Sequence, residues 1–420
     1  MKDPCNMDTS RQRVRASLAH TEPDRVVVDL GATTSSGISG IAYDRLKTYL
    51  GMRSGHTRIF DVIQQLARVE DELLETFGVD IASLGRQLDQ QSSVWYPVTL
   101  AQGTEVQWPI HFRPLVRADG SRDIVNSQGT VIGRMPAGGP FFDQVHFPYV
   151  DGYPDDFEDL ADAMSQVLWG RFPRMPWQSA GESDFWKRLR AGGMELREKT
   201  GRALVVSVGC NMLEWGMFLR RMDQFLMDLH AEPNNVERFL EALDEHHMAL
   251  LAKAVDAVGD ITDVFRFGDD LGTVQGSIIS PEHYRRFFKP RHKLLCDYVK
   301  RHTDASTLLH SCGSIYELIP DLIEAGFDCI NPVQTNCRDM DPARLKRQFG
   351  SELVLWGAGC DTATVLNNAK AQEVKDHVRR NLDILVPGGG FVFCTVHNIL
   401  PEVPPENIVA MFEAVGEFTG

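Results

Sequence analysis

This chain of 420 residues is poor in several things, and each shortage excludes something. No run of about 18 apolar residues is present, so no segment is suited to cross a bilayer. The N-terminus, "MKDPCNMDTS", is polar and has no apolar core of a secretory leader, which leads to the expectation of a cytoplasmic protein. Positive charge is scarce: 43 Lys and Arg against 58 Asp and Glu leave a formal charge of −15. That sign is wrong for a nucleic-acid or anionic-membrane surface, which needs clustered Lys and Arg. Eight cysteines in a chain this long do not make a disulfide framework, because a large core needs no staples. Reduced thiols are expected, some of them as ligands. There is no internal repeat and no low-complexity linker, so residues 1–420 read as a single domain.

What is present is a regular rhythm from about residue 200 onward. Short apolar runs alternate with longer amphipathic segments, the signature of βα units and a parallel sheet. Candidate strands are "ALVVSV" (203–208), "DVFRFG" (263–268), "STLLHS" (306–311), "DCINPV" (328–333), "ELVLWG" (352–357) and "GFVFCT" (390–395), with an earlier one in "RVVVDL" (25–30). Ser280-Pro281 and Asp341-Pro342 read as helix N-caps with proline in the first turn. Six late strands plus one or two early ones predict an α/β fold, a (β/α)8 TIM-type barrel, rather than an open doubly wound sheet. Residues 93–150 break the rhythm. Short alternating runs with turns at Asp119-Gly120 and Gln128-Gly129 predict an antiparallel β insertion. It forms either a lid over the barrel mouth or a hairpin on the outside.

In such a barrel the active site lies at the C-terminal ends of the strands. Those ends carry Asp29, Cys210-Asn211, Asp269-Asp270, His310 and Cys312, Asn331 and Gln334, Cys360-Asp361, and Cys394 with His397. The segment "STLLHSCG" (306–313) is the most pointed. Residues two apart on a strand face the same way, so His310 and Cys312 suit one ion. The plain alternative makes Cys312 a small core residue and His310 a hydrogen-bonded one. Imidazole and thiolate together favour zinc, and a catalytic site keeps one position open. A third ligand has to come from another strand, and Cys394 and Cys360 are the candidates. Cys394 is preferred, because Cys360 lies beyond its strand in a Gly-rich loop. Asp269 and Asp270 are the expected catalytic carboxylates, with solvated turn residues as the alternative. Asp29, Asn331, Gln334 and His397 are expected to face substrate, with a structural N-cap as the equal alternative for Asp29 and a satisfied structural histidine as the alternative for His397. The loop "GATTSSGISG" (31–40) fits neither Gly-rich phosphate fingerprint. Cys5, Cys296, Cys329 and Cys337 carry no partner signal.

Four stretches together carry a resemblance: "SLAHTEPDRVVVDLG", "GDDLGTVQGSIISPEHYRRFFKP", "LLHSCGSIYELIPDLIEAGFDCINPVQ" and "HNILPEVPPENI". They resemble the uroporphyrinogen decarboxylase superfamily, in its branch of zinc- and corrinoid-dependent methyltransferases. The resemblance implies a (β/α) barrel and a zinc site of H-x-C plus a distant Cys, hence His310, Cys312 and Cys394. It implies methyl transfer between a small methylated substrate (a methoxylated aromatic, a methylamine or a thiol) and cobalamin. No D-x-H-x-x-G corrinoid segment occurs here, so the corrinoid is expected on a separate protein. A homo-oligomer is compatible with the sequence. The family's decarboxylases carry an Arg-Gln-Ala-Gly-Arg segment after the first strand, where this chain reads "DLGATTSSG" with no arginine. That departure speaks against porphyrinogen decarboxylation. A zinc-free decarboxylase and a non-enzymatic binding protein with a structural zinc are the competing readings.

Overall fold

The βα rhythm folds into seven parallel strands: β1 (Ile81–Ser83), β2 (Ala203–Gly209), β3 (Val264–Gly268), β4 (Ser306–His310), β5 (Cys329–Asn331), β6 (Val354–Trp356) and β7 (Phe391–Val392). The computed structural model describes residues 9–52, 55–100, 103–171 and 175–418; Cys5 lies outside them. The strands pair in sequence order from β1 to β7. Residues 26–29 join the two edges. The amide of Phe393 donates to Val27 O at 2.8 Å, and that of Asp29 to Phe393 O at 2.8 Å. On the other side Asp80 N–H donates to Val28 O at 2.9 Å. The sheet thus curls into a TIM-type barrel whose eighth stave is the "RVVVDL" run. β1 has no counterpart among the candidate strands.

Strand alternation sorts the side chains into two layers. Val27, Ile81, Val205, Val264, Leu308, Cys329, Val354, Trp356, Val392 and Cys394 pack with one another inside the barrel. Phe265, Phe267, Leu309, Ile330 and Phe393 face outward, under the helices. The helix Pro233–Val258 buries Val236, Phe239, Leu240, Leu243, His247 and Leu251, three and four residues apart. Both expected caps are in place: Ser280 Oγ accepts from His283 N–H at 3.2 Å and Asp341 Oδ1 from Arg344 N–H at 2.8 Å. The bottom of the barrel is covered by the helix Ser10–Leu18, which starts at a capping box between Thr9 and Gln12 and inserts Val14 into the interior layer.

The region 93–150 is antiparallel. Trp95–Thr99 pairs with Glu105–Pro109, and Leu115–Val116, Arg122–Val125, Val131–Met135 and Asp143–Gln144 form a meander. The Gly120 and Gly129 turns both use left-handed backbone, at φ +84° and +81°. This unit rests on residues 57–66 and on the helix Leu213–Arg220. Trp108 Nε1–H donates to Gln65 Oε1 at 3.0 Å, and Gln144 Nε2–H to Phe218 O at 2.7 Å. No helix among the described residues is long and apolar enough to cross a membrane.

Candidate metal centre

At the C-terminal end of β4, His310 and Cys312 face the barrel axis. Cys312 Sγ lies 3.5 Å from His310 Nε2. The third donor beside them is His397: among the described residues, His310, Cys312 and His397 place ligand atoms within 4.8 Å of one another. His397 reaches this place through a left-handed backbone, φ +64°, uncommon for a residue with a side chain. Its segment is tied down on both sides. Thr395 Oγ1–H donates to His397 O at 2.6 Å, and Gly37 N–H to Asn398 Oδ1 at 3.1 Å. The short strand Thr395–Val396 pairs with Cys360–Asp361, outside the main sheet.

Cys394 does not join this group. It faces inward, but its Sγ lies 3.7 Å from Asn331 Nδ2. The Asn331 amide thus contacts Cys394 through Nδ2 and the imidazole through Oδ1. Cys360 is buried, with its thiol 3.9 Å from its neighbour's carbonyl, Asp361 O.

The two adjacent aspartates have different employment. Asp269 is fully buried, and its carboxylate accepts from Leu213 N–H and Glu214 N–H, both at 2.9 Å, at the start of the helix Leu213–Arg220. Asp270 turns to the cluster. Its Oδ1 accepts from Cys312 N–H at 2.8 Å and lies 3.7 Å from His310 Nε2. Gln334 Oε1 accepts from Gly313 N–H at 2.8 Å and so holds the same turn from the other side. Asp29 sits lower, accepting from Trp356 Nε1–H at 2.9 Å and from Ala32 N–H at 3.1 Å.

Two residues of this mouth escaped sequence reasoning. Glu214 accepts from Asn211 Nδ2–H and, at 3.3 Å, from Asp270 N–H. Burial, then the charges of Asp270 and Asp269, push its carboxyl up to about 8. The available signal was Asn211, a polar residue at a strand end three positions earlier. Arg266 lies buried in β3 at the inward parity of Val264, and its charge acts on Glu214, Cys312 and His397. An arginine inside the apolar run "DVFRFG" was its signal. Burial and then the charge of Asp270 push the Cys312 thiol far up, while burial pushes His397 down. Desolvation thus favours the neutral forms of Cys312 and His397. Two nitrogens and one sulfur, so placed, could hold a metal ion.

Comparison with known proteins agrees with this architecture. The chain is 24% identical over 218 residues to uroporphyrinogen decarboxylase from Legionella pneumophila (strain Corby), covering 51% of this chain and 56% of the relative. It is 24% identical over 194 residues to the enzyme of the same name from Hydrogenovibrio crunogenus, covering 46% and 51%. The chain thus matches about half the length of these curated relatives. A solved structure, a methyltransferase from Methanosarcina mazei, superimposes with a TM-score of 0.57 at 20% identity, over 98% of this chain and 99% of the other. That likeness shows the fold. The uroporphyrinogen decarboxylase (URO-D) family model matches residues 206–418, from β2 through the cluster to the last helix, and the chain belongs to that family.

Proposed function

We propose that this chain is a zinc-dependent methyltransferase, moving a methyl group between a small methylated compound and a corrinoid carried by a separate protein. The observation that carries the reading is the convergence of His310, Cys312 and His397 at the barrel mouth. A nitrogen–sulfur–nitrogen set suits zinc, and three protein donors leave one tetrahedral position for substrate. The name of the Methanosarcina mazei protein that shares the fold supports the same direction. When bound, the ion supplies Lewis acidity toward the oxygen, nitrogen or sulfur that gives up or receives the methyl group.

The chain's own groups arrange the rest. His310, Cys312 and His397 hold the ion. Asp270 and Gln334 clamp the Cys312–Gly313 turn from two sides, and the Asp270 carboxylate offers negative charge next to His310. Burial and the neighbouring carboxylates favour the protonated form of Glu214 beside the cluster, and Arg266 offsets the carboxylates. Asp269 is a structural cap. The 93–150 unit, seated on residues 57–66 and the helix Leu213–Arg220, serves as a lid that excludes water from the mouth. A methoxylated aromatic, a methylamine or a thiol fits this scheme.

The test combines metal analysis with methyl transfer to free cob(I)alamin, followed by its spectrum, over methoxyaromatic, methylamine and thiol panels. The expected result is about one zinc per chain, with metal and transfer both lost in Cys312→Ala. A metal-free chain that decarboxylates a porphyrinogen would overturn the reading.

A further inference from the structure

The loop "GATTSSG" and the amide of Asn331 have no part in the scheme so far, yet both are buried, the loop against Asn331 through Ser35 and Asn331 against His310. Asn331 is 1% exposed and Ser35 is 1% exposed. Asn331 makes four directed contacts, one of them the approach of its Nδ2 to Cys394 Sγ at 3.7 Å. Its Nδ2 lies 3.0 Å from Trp356 O, its Oδ1 lies 2.8 Å from His310 Nδ1, and Ser35 Oγ approaches the same Oδ1 at 2.6 Å.

The backbone carbonyl of Trp356 has no hydrogen to give, so the Asn331 atom facing it is the NH2. Turning the amide over would bring two oxygens together. The atom facing His310 is therefore the oxygen, and an oxygen of a primary amide only accepts. His310 then carries a hydrogen on Nδ1, and in the neutral ring the lone pair sits on Nε2. Nε2 is the atom beside Cys312 Sγ, at 3.5 Å. The Ser35 hydroxyl donates to the second lone pair of Asn331 Oδ1 and is itself bridged to Thr33 Oγ1 at 3.0 Å. The 31–37 loop, through Ser35, thus holds the amide that holds the imidazole.

We propose that Asn331 and Ser35 are positioning residues for the metal centre: they fix the His310 tautomer and ring plane so that Nε2 is presented to the ion. Asn331, expected from sequence to face substrate, is assigned here to the metal instead. This rests on the zinc reading above. Partners of this kind set the affinity of a ligating histidine by about 10- to 100-fold.

The test measures Zn2+ affinity of the intact chain by competition with a chromogenic chelator, and the visible spectrum of the Co2+-loaded protein. Asn331→Leu removes the acceptor and is expected to weaken Zn2+ binding about 10- to 100-fold and shift the Co2+ bands. Asn331→Asp keeps an acceptor toward Nδ1–H and is expected to recover most of the affinity, though it loses the contact to Trp356 O. Ser35→Ala should weaken binding several-fold, with Ser35→Thr restoring it. Equal thermal unfolding midpoints of the metal-free variants show that folding is intact; should Asn331→Leu not fold, the Ser35 pair carries the test. If the wild type binds no Zn2+, the zinc reading fails. If the wild type binds and Asn331→Leu and Ser35→Ala bind as tightly, the positioning role is overturned.

Discussion

The two ends of the barrel bury carboxylates in opposite ways. At the bottom the buried Asp80 and Asp263 are met by guanidinium groups. Asp80 accepts from Arg13 at 2.9 Å, from Arg25 at 2.7 Å and from Val28 N–H at 3.1 Å. Asp263 accepts from Arg11 at 2.8 Å, Arg15 at 3.1 Å and Leu204 N–H at 3.0 Å. At the mouth Glu214, Asp269, Asp270 and the Cys312 thiol gather near Arg266, and desolvation holds Glu214 and Cys312 in their neutral forms. A buried charge is stable only when paired, so an end with its pairs complete is architecture. The mouth, where burial favours the neutral forms of Glu214 and Cys312, is the end proposed to receive a metal cation.

The largest effect that would break this contrast comes from the bottom. Arg13→Ala leaves the fully buried Asp80 with Arg25, which is partly exposed, as its remaining cation. Removing one partner of a buried pair costs about 3–5 kcal/mol. Urea unfolding should show that loss, while zinc bound per folded chain stays unchanged. A loss of metal along with stability would mean that the two ends are coupled.

Asp29 tests the mouth in the same terms, because its partners are neutral. Burial raises its carboxyl to about 6, against 3.8 for the ordinary group, and the Trp356 bond only partly offsets this. A raised folded-state value means that the stabilising balance is complete below pH 3.8 and is lost as pH rises through 6. Asn in its place stays neutral throughout and can still accept from Trp356 Nε1–H. Asp29→Asn should therefore match the wild type at pH 3.5 and exceed it above pH 6 by an amount on the order of 3 kcal/mol. A constant difference across that window would show that titration of Asp29 is not its source.

Metal removal is the next test in size. A ligand at 100 times its dissociation constant stabilises the folded state by about 2.7 kcal/mol. Chelation should lower the thermal midpoint of the zinc-loaded wild type accordingly and leave Cys312→Ala unmoved. An equal response in both would place the stabilising metal somewhere other than this cluster.

How much of this was visible in the sequence follows the same division. Staves are legible because a buried parallel strand needs a continuous apolar run, and seven of the eight were read that way. β1 was not, because three residues, Ile81–Ser83, carry too short a pattern. His310, Cys312 and Asp270 were legible from parity and strand-end position. Parity also put Cys394 on the inner face, where it lies, but parity says nothing about depth or about which side chain it meets. Cys394 meets instead the amide of Asn331, more than sixty positions away in the chain. His397 depends on a left-handed residue and a two-residue strand pairing with Cys360–Asp361, neither of which has a local signature. Glu214 was hidden by its own helix, whose apolar spacing around Trp215 and Phe218 reads as core.

The smallest effect separates two neighbours in "GDD". Asp269 lies at the mouth but is satisfied as bottom residues are, here by backbone rather than by arginine. Its two oxygens take one N–H each from Leu213 and Glu214 and so anchor the first turn of the helix that carries Glu214. An asparagine retains one acceptor and turns an NH2 toward the second amide, so Asp269→Asn should cost about 1 kcal/mol, the usual scale for losing a cap. Metal affinity should not change. Asp270→Asn should behave in reverse, since its carboxylate faces His310 and an amide there removes the negative charge next to the cation. It should weaken zinc binding several-fold, with stability of the metal-free chain within about 0.5 kcal/mol of wild type. If Asp269→Asn instead loosens the metal and Asp270→Asn does not, the two carboxylates have exchanged roles and the line between architecture and site runs on the other side of residue 269.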